Sequence, residues 1–171
     1  MTEIALKKVS KAPLYTALVV IVPLLLIYWL GSPVSLGYDP QDERCLPNVR
    51  FSLLVNHAPA EIHDGDMIFF SKPRGLFEYV AEEMIMKVVA GVPGDHLTIK
   101  KGGVQINGKI VVNGFPLAEP FYHHPMQYFE KDEVIPKGKI FMIGTHRLSD
   151  DSRYWGYLDT SYVRGKGYKI F

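Results

Sequence analysis

Three parts of this 171-residue chain carry side chains whose chemistry fits together. Lys87 stands among apolar residues, and an ammonium buried in such surroundings favours its neutral form, which is a general base. Cys45 is the only cysteine, and a thiol is an intrinsically good nucleophile. The loop 144–153 is dense in polar groups that can orient a base. A nucleophile, a base and an orienting group together predict an enzyme that cleaves peptide bonds.

Short strands must position these groups. Turn signals such as Asn107-Gly108 separate runs that are rich in β-branched and aromatic residues. The predicted strands are 50–55, 67–70, 87–90, 97–99, 104–106, 110–112, 140–143 and 162–171. Many short strands and few helices predict a mainly β domain of coiled antiparallel sheets, and the chain is long enough for one such core.

The N-terminal segment departs from globular composition. No residue from Ala12 to Leu30 is charged, and about nineteen helical residues span roughly the ~30 Å hydrocarbon core of a bilayer. Tyr28 and Trp29 fall at one end, where aromatic rings favour the membrane interface. We therefore predict one transmembrane helix, an anchor over residues 12–31. A cleaved secretory signal peptide is the alternative, although Gly31-Ser32-Pro33 is a poor cleavage site.

The charges that flank this segment predict its orientation. Lysines lie just before it and carboxylates follow it: Lys7, Lys8, Lys11, Asp39, Asp42 and Glu43. By the positive-inside rule, residues 1–11 form a cytoplasmic tail and residues 32–171 form a catalytic domain on the other side of the bilayer. The formal net charge of +1 gives no reason to expect a nucleic-acid partner.

Three motifs, taken in order, resemble those of the type I signal peptidases, which are membrane-anchored serine–lysine proteases. Gly65–Phe70 resembles the Gly-Asp-hydrophobic strand motif of that family. Lys87–Asp95 resembles its lysine motif and keeps the Pro-Gly-Asp ending. Gly144–Arg153 resembles its polar loop and keeps the pattern Ser-x-Asp-Ser-Arg. The resemblance implies a signal-peptidase-like β domain that works without a metal or an organic cofactor.

The resemblance also implies roles for individual residues. Cys45 takes the place of the nucleophile, and Lys87 that of the general base. Ser149 and Asp151 match the residues that hold the family's lysine by hydrogen bonding and charge. Arg153 matches an arginine that braces the same loop.

The segment Cys45-Leu46-Pro47 and the small size resemble one branch of the family. These are the conjugative-transfer peptidases that mature pilin subunits, whose usual nucleophile motif is Ser-Leu-Pro. The likeness implies a membrane-embedded pilin precursor as substrate, bound as an extended strand, and a catalytic domain in the periplasm, anchored in a bacterial inner membrane. A general signal peptidase that removes secretory leaders is the alternative within the family. A catalytically inactive scaffold of a secretion or conjugation machine is the alternative from another class.

Several positions depart from the family pattern. Cysteine replaces serine at position 45, and Thr145 and His146 replace an Asp-Asn pair. Val88 replaces the arginine after the lysine. Glu43 stands where most members carry a hydroxyl that helps the oxyanion hole. The backbone N–H of Cys45 remains a donor for that role, while the missing serine and the altered loop favour the scaffold alternative.

A cysteine nucleophile changes the chemistry that follows attack. A thiol loses its proton far more readily than a hydroxyl, so it depends less on its base. Attack by Cys45 on a peptide carbonyl gives a thioester, and thioesters react well with amines relative to water. This preference suggests the hypothesis that the enzyme passes its acyl group to an amine and cyclises the pilin after cleavage.

The remaining polar and apolar candidates have simpler explanations. Leu46, Pro47 and Met86 are predicted to line an apolar groove for small substrate side chains, with ordinary core packing as the alternative. Ser52 is a rival nucleophile, but a hydroxyl within a strand is usually just packed. His123-His124 invites a metal site, yet no Cys, His or carboxylate partner stands at ligand spacing, so we predict no metal.

Overall fold

The computed structural model describes residues 12–29, 31, 33–41, 44–76 and 84–170. The chain divides into two compact units, Met1–Val34 and Ser35–Phe171. The predicted cytoplasmic tail, residues 1–11, lies outside the described residues.

The N-terminal unit contains helix α1 (Ala12–Trp29), which is apolar, carries no charged residue and includes Pro23. Within the described residues, no helix combines the length and the hydropathy that a membrane crossing requires. The anchor over residues 12–31 therefore stays a prediction.

The second unit is built from antiparallel strands in two sheets. The strands are β1 (Val34–Tyr38), β2 (Phe51–Val55), β3 (Met67–Ser71), β4 (Met84–Gly91), β5 (His96–Lys100), β6 (Gly103–Ile106), β7 (Lys109–Asn113), β8 (Lys131–Val134), β9 (Lys139–Ile143), β10 (Leu158–Asp159) and β11 (Val163–Lys169). One short α-helix of the described chain, α2 (Ser152–Trp155), begins at the end of the polar loop 144–153. The larger sheet has the order β1-β2-β11-β3-β4-β9-β10, and the smaller has the order β7-β6-β5-β8. The prediction of a mainly β, antiparallel domain is confirmed.

Three apolar clusters form the core of the described residues, and the two larger ones include the strands of the sheets. The first packs side chains of β3, β4, β9, β10 and β11: Ile68, Phe70, Val89, Ile140, Met142, Leu158 and Val163. The second lies largely on the smaller sheet: Ala90, Leu97, Ile99, Val104, Ile106, Ile135 and Phe141. Because side chains alternate across a strand, Ile85, Lys87 and Val89 share one face of β4. The strand that contributes Val89 to the core therefore directs Lys87 to the same buried side.

Asp66 ties the turn before β3 to the last strand. One carboxylate oxygen accepts hydrogen bonds from the His63 backbone N–H at 2.8 Å and lies 2.6 Å from Lys166 Nζ. Burial opposes ionisation of this carboxyl, but the hydrogen bond and charge of Lys166, with the His63 amide, outweigh it and hold the pKa of Asp66 below its usual range. The ionised group thus contributes stability above the ordinary carboxyl pKa, and that stability is lost as the pH falls through the lowered pKa.

Asp66→Asn is therefore expected to destabilise the domain by about 1 kcal/mol at neutral pH. The difference from wild type should shrink at an acid pH below the ordinary carboxyl pKa, where Asp66 of the wild type is also losing its charge. Urea unfolding of the full-length wild type and variant in detergent, at both pH values, measures it. A difference that stays the same at both pH values would contradict this account of Asp66.

Candidate active site

Lys87 lies at the centre of the site on β4. The strand pairs with β3, where Lys87 stands opposite Ile68, and with β9 on the other side. The lysine is only 1% exposed, so its amine depends on protein partners. Lys87 Nζ lies 3.2 Å from Cys45 Sγ and 3.1 Å from Ser149 Oγ. The structure thus brings together three residues that are separated by 42 and 62 positions in the sequence.

Cys45 lies in the loop between β1 and β2. Leu46, only 5% exposed, anchors the loop in the core, and its carbonyl accepts the Val49 N–H at 2.9 Å to close a turn. The Cys45 carbonyl accepts the His146 N–H at 3.1 Å, which joins this loop to the polar loop. The thiol side chain itself is half-buried, so a ligand can reach it.

A buried ion pair shapes the polar loop. The side chains of Asp151 and Arg153 are both fully buried. Arg153 Nε donates a hydrogen bond to Asp151 Oδ1 at 2.8 Å, and Arg153 Nη2 donates one to Asp151 Oδ2 at 3.0 Å. Asp151 also accepts the N–H of Gly144 at 3.1 Å and of Arg153 at 3.2 Å. Arg153 Nη2 donates to the Ser149 carbonyl at 3.1 Å. The pair therefore fixes the backbone that presents Ser149 to Lys87.

The charge state of this pair follows from its surroundings. Burial alone would lower the pKa of the Arg153 guanidinium, but the hydrogen bonds and charge of Asp151 outweigh burial and raise it. A charged arginine and an ionised aspartate neutralise each other inside the loop. The expectation that Asp151 itself holds Lys87 is therefore corrected: Ser149 contacts Lys87, whereas Asp151 contacts Arg153 and Gly144 and acts on the lysine only through the loop.

Gly144 lets the Cys45 loop and the polar loop approach closely. A Cβ at this position would lie 2.0 Å from Ser149 Oγ, 2.5 Å from Ser149 Cβ and 2.9 Å from the Cys45 carbonyl oxygen. Real Cβ contacts are not that short, so a methyl group would push Ser149 away from Lys87. The sequence shows a glycine at the start of the polar loop, but it does not show which atoms a side chain at this position would meet.

Gly144→Ala is expected to cost about 1–3 kcal/mol of stability because the site is already closely packed. Gly103→Ala is the matched control, since the nearest atom there is the end of a flexible side chain, Asn113 Oδ1 at 3.2 Å. Denaturant unfolding of both full-length variants measures the difference. Equal stabilities for the two alanine variants would contradict the packing argument.

Cys45 and Lys87 line a cleft of about 690 Å³, a volume typical of ligand sites. Other lining residues include Ser52, Phe69, Leu148 and Asp150. Of the three residues predicted to bind substrate, Leu46 and Met86 line the cleft, whereas Pro47 is exposed and its carbonyl accepts a hydrogen bond from Arg44. Pro47 is not one of the described residues that line the cleft.

The other sequence candidates fall in different settings. Ser52 is buried and lines the same cleft, while the Lys87 amine hydrogen-bonds to Cys45 and Ser149. The His124 ring stacks on Tyr128 with ring centres 3.9 Å apart. In the part of the chain that the structure describes, no three His, Cys, Asp or Glu side chains are grouped to hold a metal ion. Glu43 lies outside the described residues.

Two residues of the site escaped the sequence-based interpretation. The Tyr122 hydroxyl donates to Asp150 Oδ1 at 2.6 Å, although the two residues are 28 positions apart. Tyr122 belongs to an aromatic cluster in which its ring stacks on Tyr154 with centres 5.0 Å apart. Asp150 was visible in the polar loop, but its aromatic partner is set by tertiary packing alone.

Comparison with known proteins gives consistent matches. A family model described as signal peptidase, peptidase S26, matches residues 11–171. A probable signal peptidase I-2 of Synechocystis is 25% identical over 109 residues, which are 63% of this chain and 47% of that protein. A probable signal peptidase I-1 of the same strain is 29% identical over 153 residues, 85% of this chain and 73% of that protein. Signal peptidase IB of Staphylococcus aureus (strain COL) is 25% identical over 158 residues, 81% of this chain and 76% of that protein. The chain thus spans about half the length of the first of these relatives.

Proposed function

Because the chain belongs to the signal peptidase S26 family, we propose that it is a membrane-anchored endopeptidase with Cys45 as nucleophile and Lys87 as general base. The observation that carries the proposal is the 3.2 Å contact between Cys45 Sγ and Lys87 Nζ in the wall of an open cleft. A scaffold has no chemical reason to keep a half-buried thiol beside a buried amine. This contact therefore favours the enzyme over the inactive alternative.

The proposed reaction begins with one proton shared between the thiol and the amine. Cys45 Sγ attacks the carbonyl carbon of the scissile bond, a C–S bond forms, and the proton resides on Lys87. The carbonyl oxygen takes up the electron pair and is stabilised by the Cys45 backbone N–H. When the C–N bond breaks, Lys87 returns the proton to the leaving amine, and a thioester remains on Cys45.

The second half of the reaction regenerates the enzyme. The neutral Lys87 amine accepts a proton from the attacking group, water or an amine, as that group adds to the thioester. Collapse of the intermediate breaks the C–S bond and returns the proton to the Cys45–Lys87 pair. Attack by water completes hydrolysis, and attack by an amine of the same peptide closes a ring.

Ser149 orients the base in this scheme. Its hydroxyl lies 3.1 Å from Lys87 Nζ, and the Asp151–Arg153 pair holds its backbone. Because Ser149 takes up one hydrogen-bonding position of the Lys87 amine, another is directed toward Cys45. Ser149, Asp151 and Arg153 are positioning residues, since none of them is placed to touch the substrate in the proposed reaction.

The proposed substrate is a membrane-embedded pilin precursor that lies extended beside β4. Cys45-Leu46-Pro47 supports this choice through its likeness to the Ser-Leu-Pro motif of the pilin-processing branch. The uncharged stretch from Ala12 to Leu30 supports an inner-membrane anchor with the domain in the periplasm. Enzyme and precursor in one bilayer would meet at high effective concentration, so weak intrinsic affinity suffices.

Co-expression of the full chain with a candidate pilin precursor tests the proposal. Wild type is expected to shorten the pilin, as read from its intact mass, and a product one water lighter than the linear peptide would add cyclisation. A secretory precursor co-expressed in parallel separates pilin maturation from general leader removal. If neither precursor is shortened, the scaffold alternative replaces the peptidase.

A further inference from the structure

Asp150 is a charged group of the cleft wall that the proposed reaction leaves without a role. We propose that Asp150 is a specificity-determining residue that selects substrates with a lysine or arginine side chain close to the scissile bond. Tyr122 is the positioning residue that holds it. The inference rests on the proposed function, since it names a class of substrate for the same cleft.

The position of Asp150 differs from that of its neighbours in the polar loop. Ser149 is buried against Lys87, and Asp151 is buried against Arg153. Asp150, between them, is half-buried and lines the cleft together with Cys45 and Leu148. Asp150 therefore lies in the wall of the same cleft as the nucleophile, rather than in the core.

Tyr122 holds this carboxylate in place. The 2.6 Å distance between the Tyr122 hydroxyl and Asp150 Oδ1 is typical of a charge-assisted O–H···O⁻ bond. The tyrosine cannot swing away freely, because its ring stacks on Tyr154 and meets the edge of Phe129 at 5.9 Å. A carboxylate fixed in this way loses little side-chain entropy when it binds a cation.

The cleft wall includes carboxylates that can attract a cationic ligand group. Two positive groups near the polar loop are engaged by other residues, since Lys87 is buried on Cys45 and Ser149 and Arg153 is paired with Asp151. Asp39 contributes a second carboxylate to the cleft wall. The Arg50 guanidinium, also on the wall, lies over the Tyr38 ring at 6.0 Å. Partial burial strengthens the attraction between a substrate cation and Asp150 relative to a fully solvated pair.

Cleavage of a substrate panel tests the inference. Precursor peptides carry Lys, Gln or Glu at each of the three positions on either side of the scissile bond, and the full-length enzyme in detergent cleaves them. We expect wild type to prefer Lys over Gln about tenfold in kcat/KM at one of these positions, mainly through KM. Asp150→Asn keeps an acceptor for Tyr122 but should bring that ratio close to one. Asp150→Lys should reverse the preference toward Glu.

Two further variants separate selection from a structural role. Tyr122→Phe should weaken the preference for Lys only in part, because the charge of Asp150 remains. Asp64→Asn, at an exposed turn away from the cleft, is the matched control and should keep the wild-type ratio. If Asp150→Asn and Tyr122→Phe lower kcat equally for the Lys and Gln peptides, Asp150 is structural and the inference is wrong.

Binding of the same peptides to Cys45→Ala and to Cys45→Ala/Asp150→Asn keeps the inference separate from the proposed function. Cleavage without any preference for Lys overturns the inference and leaves the peptidase standing. If wild type cleaves none of the peptides but binds the Lys peptides more tightly in a way that depends on Asp150, the proposed peptidase function is wrong. The inference that Asp150 selects cationic ligands then stands. Neither cleavage nor a charge-dependent difference in binding overturns both.

Discussion

Cys45→Ala and Lys87→Met are each expected to lower precursor cleavage by about 10³-fold or more. Removal of Cys45 Sγ leaves no atom to form the acyl intermediate. Removal of the Lys87 amine leaves the thiol without the group that accepts and returns its proton at 3.2 Å. Because the two act as a unit, the double variant should be little worse than either single variant. The full-length enzymes are compared by the initial rate of cleavage of one precursor peptide.

Two other substitutions sharpen this result. Cys45→Ser restores the serine–lysine pair of the family and is expected to regain slow hydrolysis while losing transfer to amines, since an ester reacts with amines less readily than a thioester. Ser52→Ala removes the rival hydroxyl of the cleft and should leave cleavage dependent on Cys45. Cleavage by Cys45→Ala at the wild-type rate would show that Cys45 is structural.

Arg153→Met is expected to destabilise the domain by about 3–5 kcal/mol, because it leaves the Asp151 carboxylate buried without its charged partner. That loss is a large part of the stability of an ordinary domain, so poor expression of the variant is an expected accompaniment. Asp151→Asn should be destabilising for the same reason, since it leaves the guanidinium unpaired. Denaturant unfolding of the full-length proteins gives the values, and the double variant gives the coupling between the two residues.

The exposed pair Lys131–Glu133 supplies the matched control for this prediction. Lys131 Nζ and Glu133 Oε1 lie 3.7 Å apart, and both side chains are well exposed. Lys131→Met should therefore change the free energy of unfolding by less than about 1 kcal/mol. A loss from Arg153→Met no larger than that from Lys131→Met would mean that the buried pair does not hold the loop.

Much of the β architecture could be predicted because it depends on local pattern. Residues 97–99 and 104–106 were predicted as strands, and they lie within β5 and β6, which pair in register. Asn107 and Gly108 both adopt positive φ, as the two-residue turn between strands requires. The alternation of side chains along these strands is readable from the sequence, and it decides which residues enter the core.

The site was predictable in its residues but not in all its contacts. Lys87, Cys45 and Ser149 were identified from their chemistry and from the family resemblance, and the structure brings them within hydrogen-bond distance. That Asp151 pairs with Arg153, two positions away, depends on the fold of α2 and its preceding loop. The contact between Tyr122 and Asp150 depends on how an aromatic cluster packs against that loop, which no local pattern encodes.

The most direct test of the central claim is the intact mass of the full-length enzyme after acid quenching during turnover of a precursor peptide. We predict a wild-type adduct with the mass of the acyl fragment, mapped to Cys45 and released by hydroxylamine at neutral pH, as a thioester is. Cys45→Ala should carry no adduct. Cleavage of the peptide by wild type with no adduct on Cys45, or with an adduct on another residue, would contradict the assignment of Cys45 as the nucleophile.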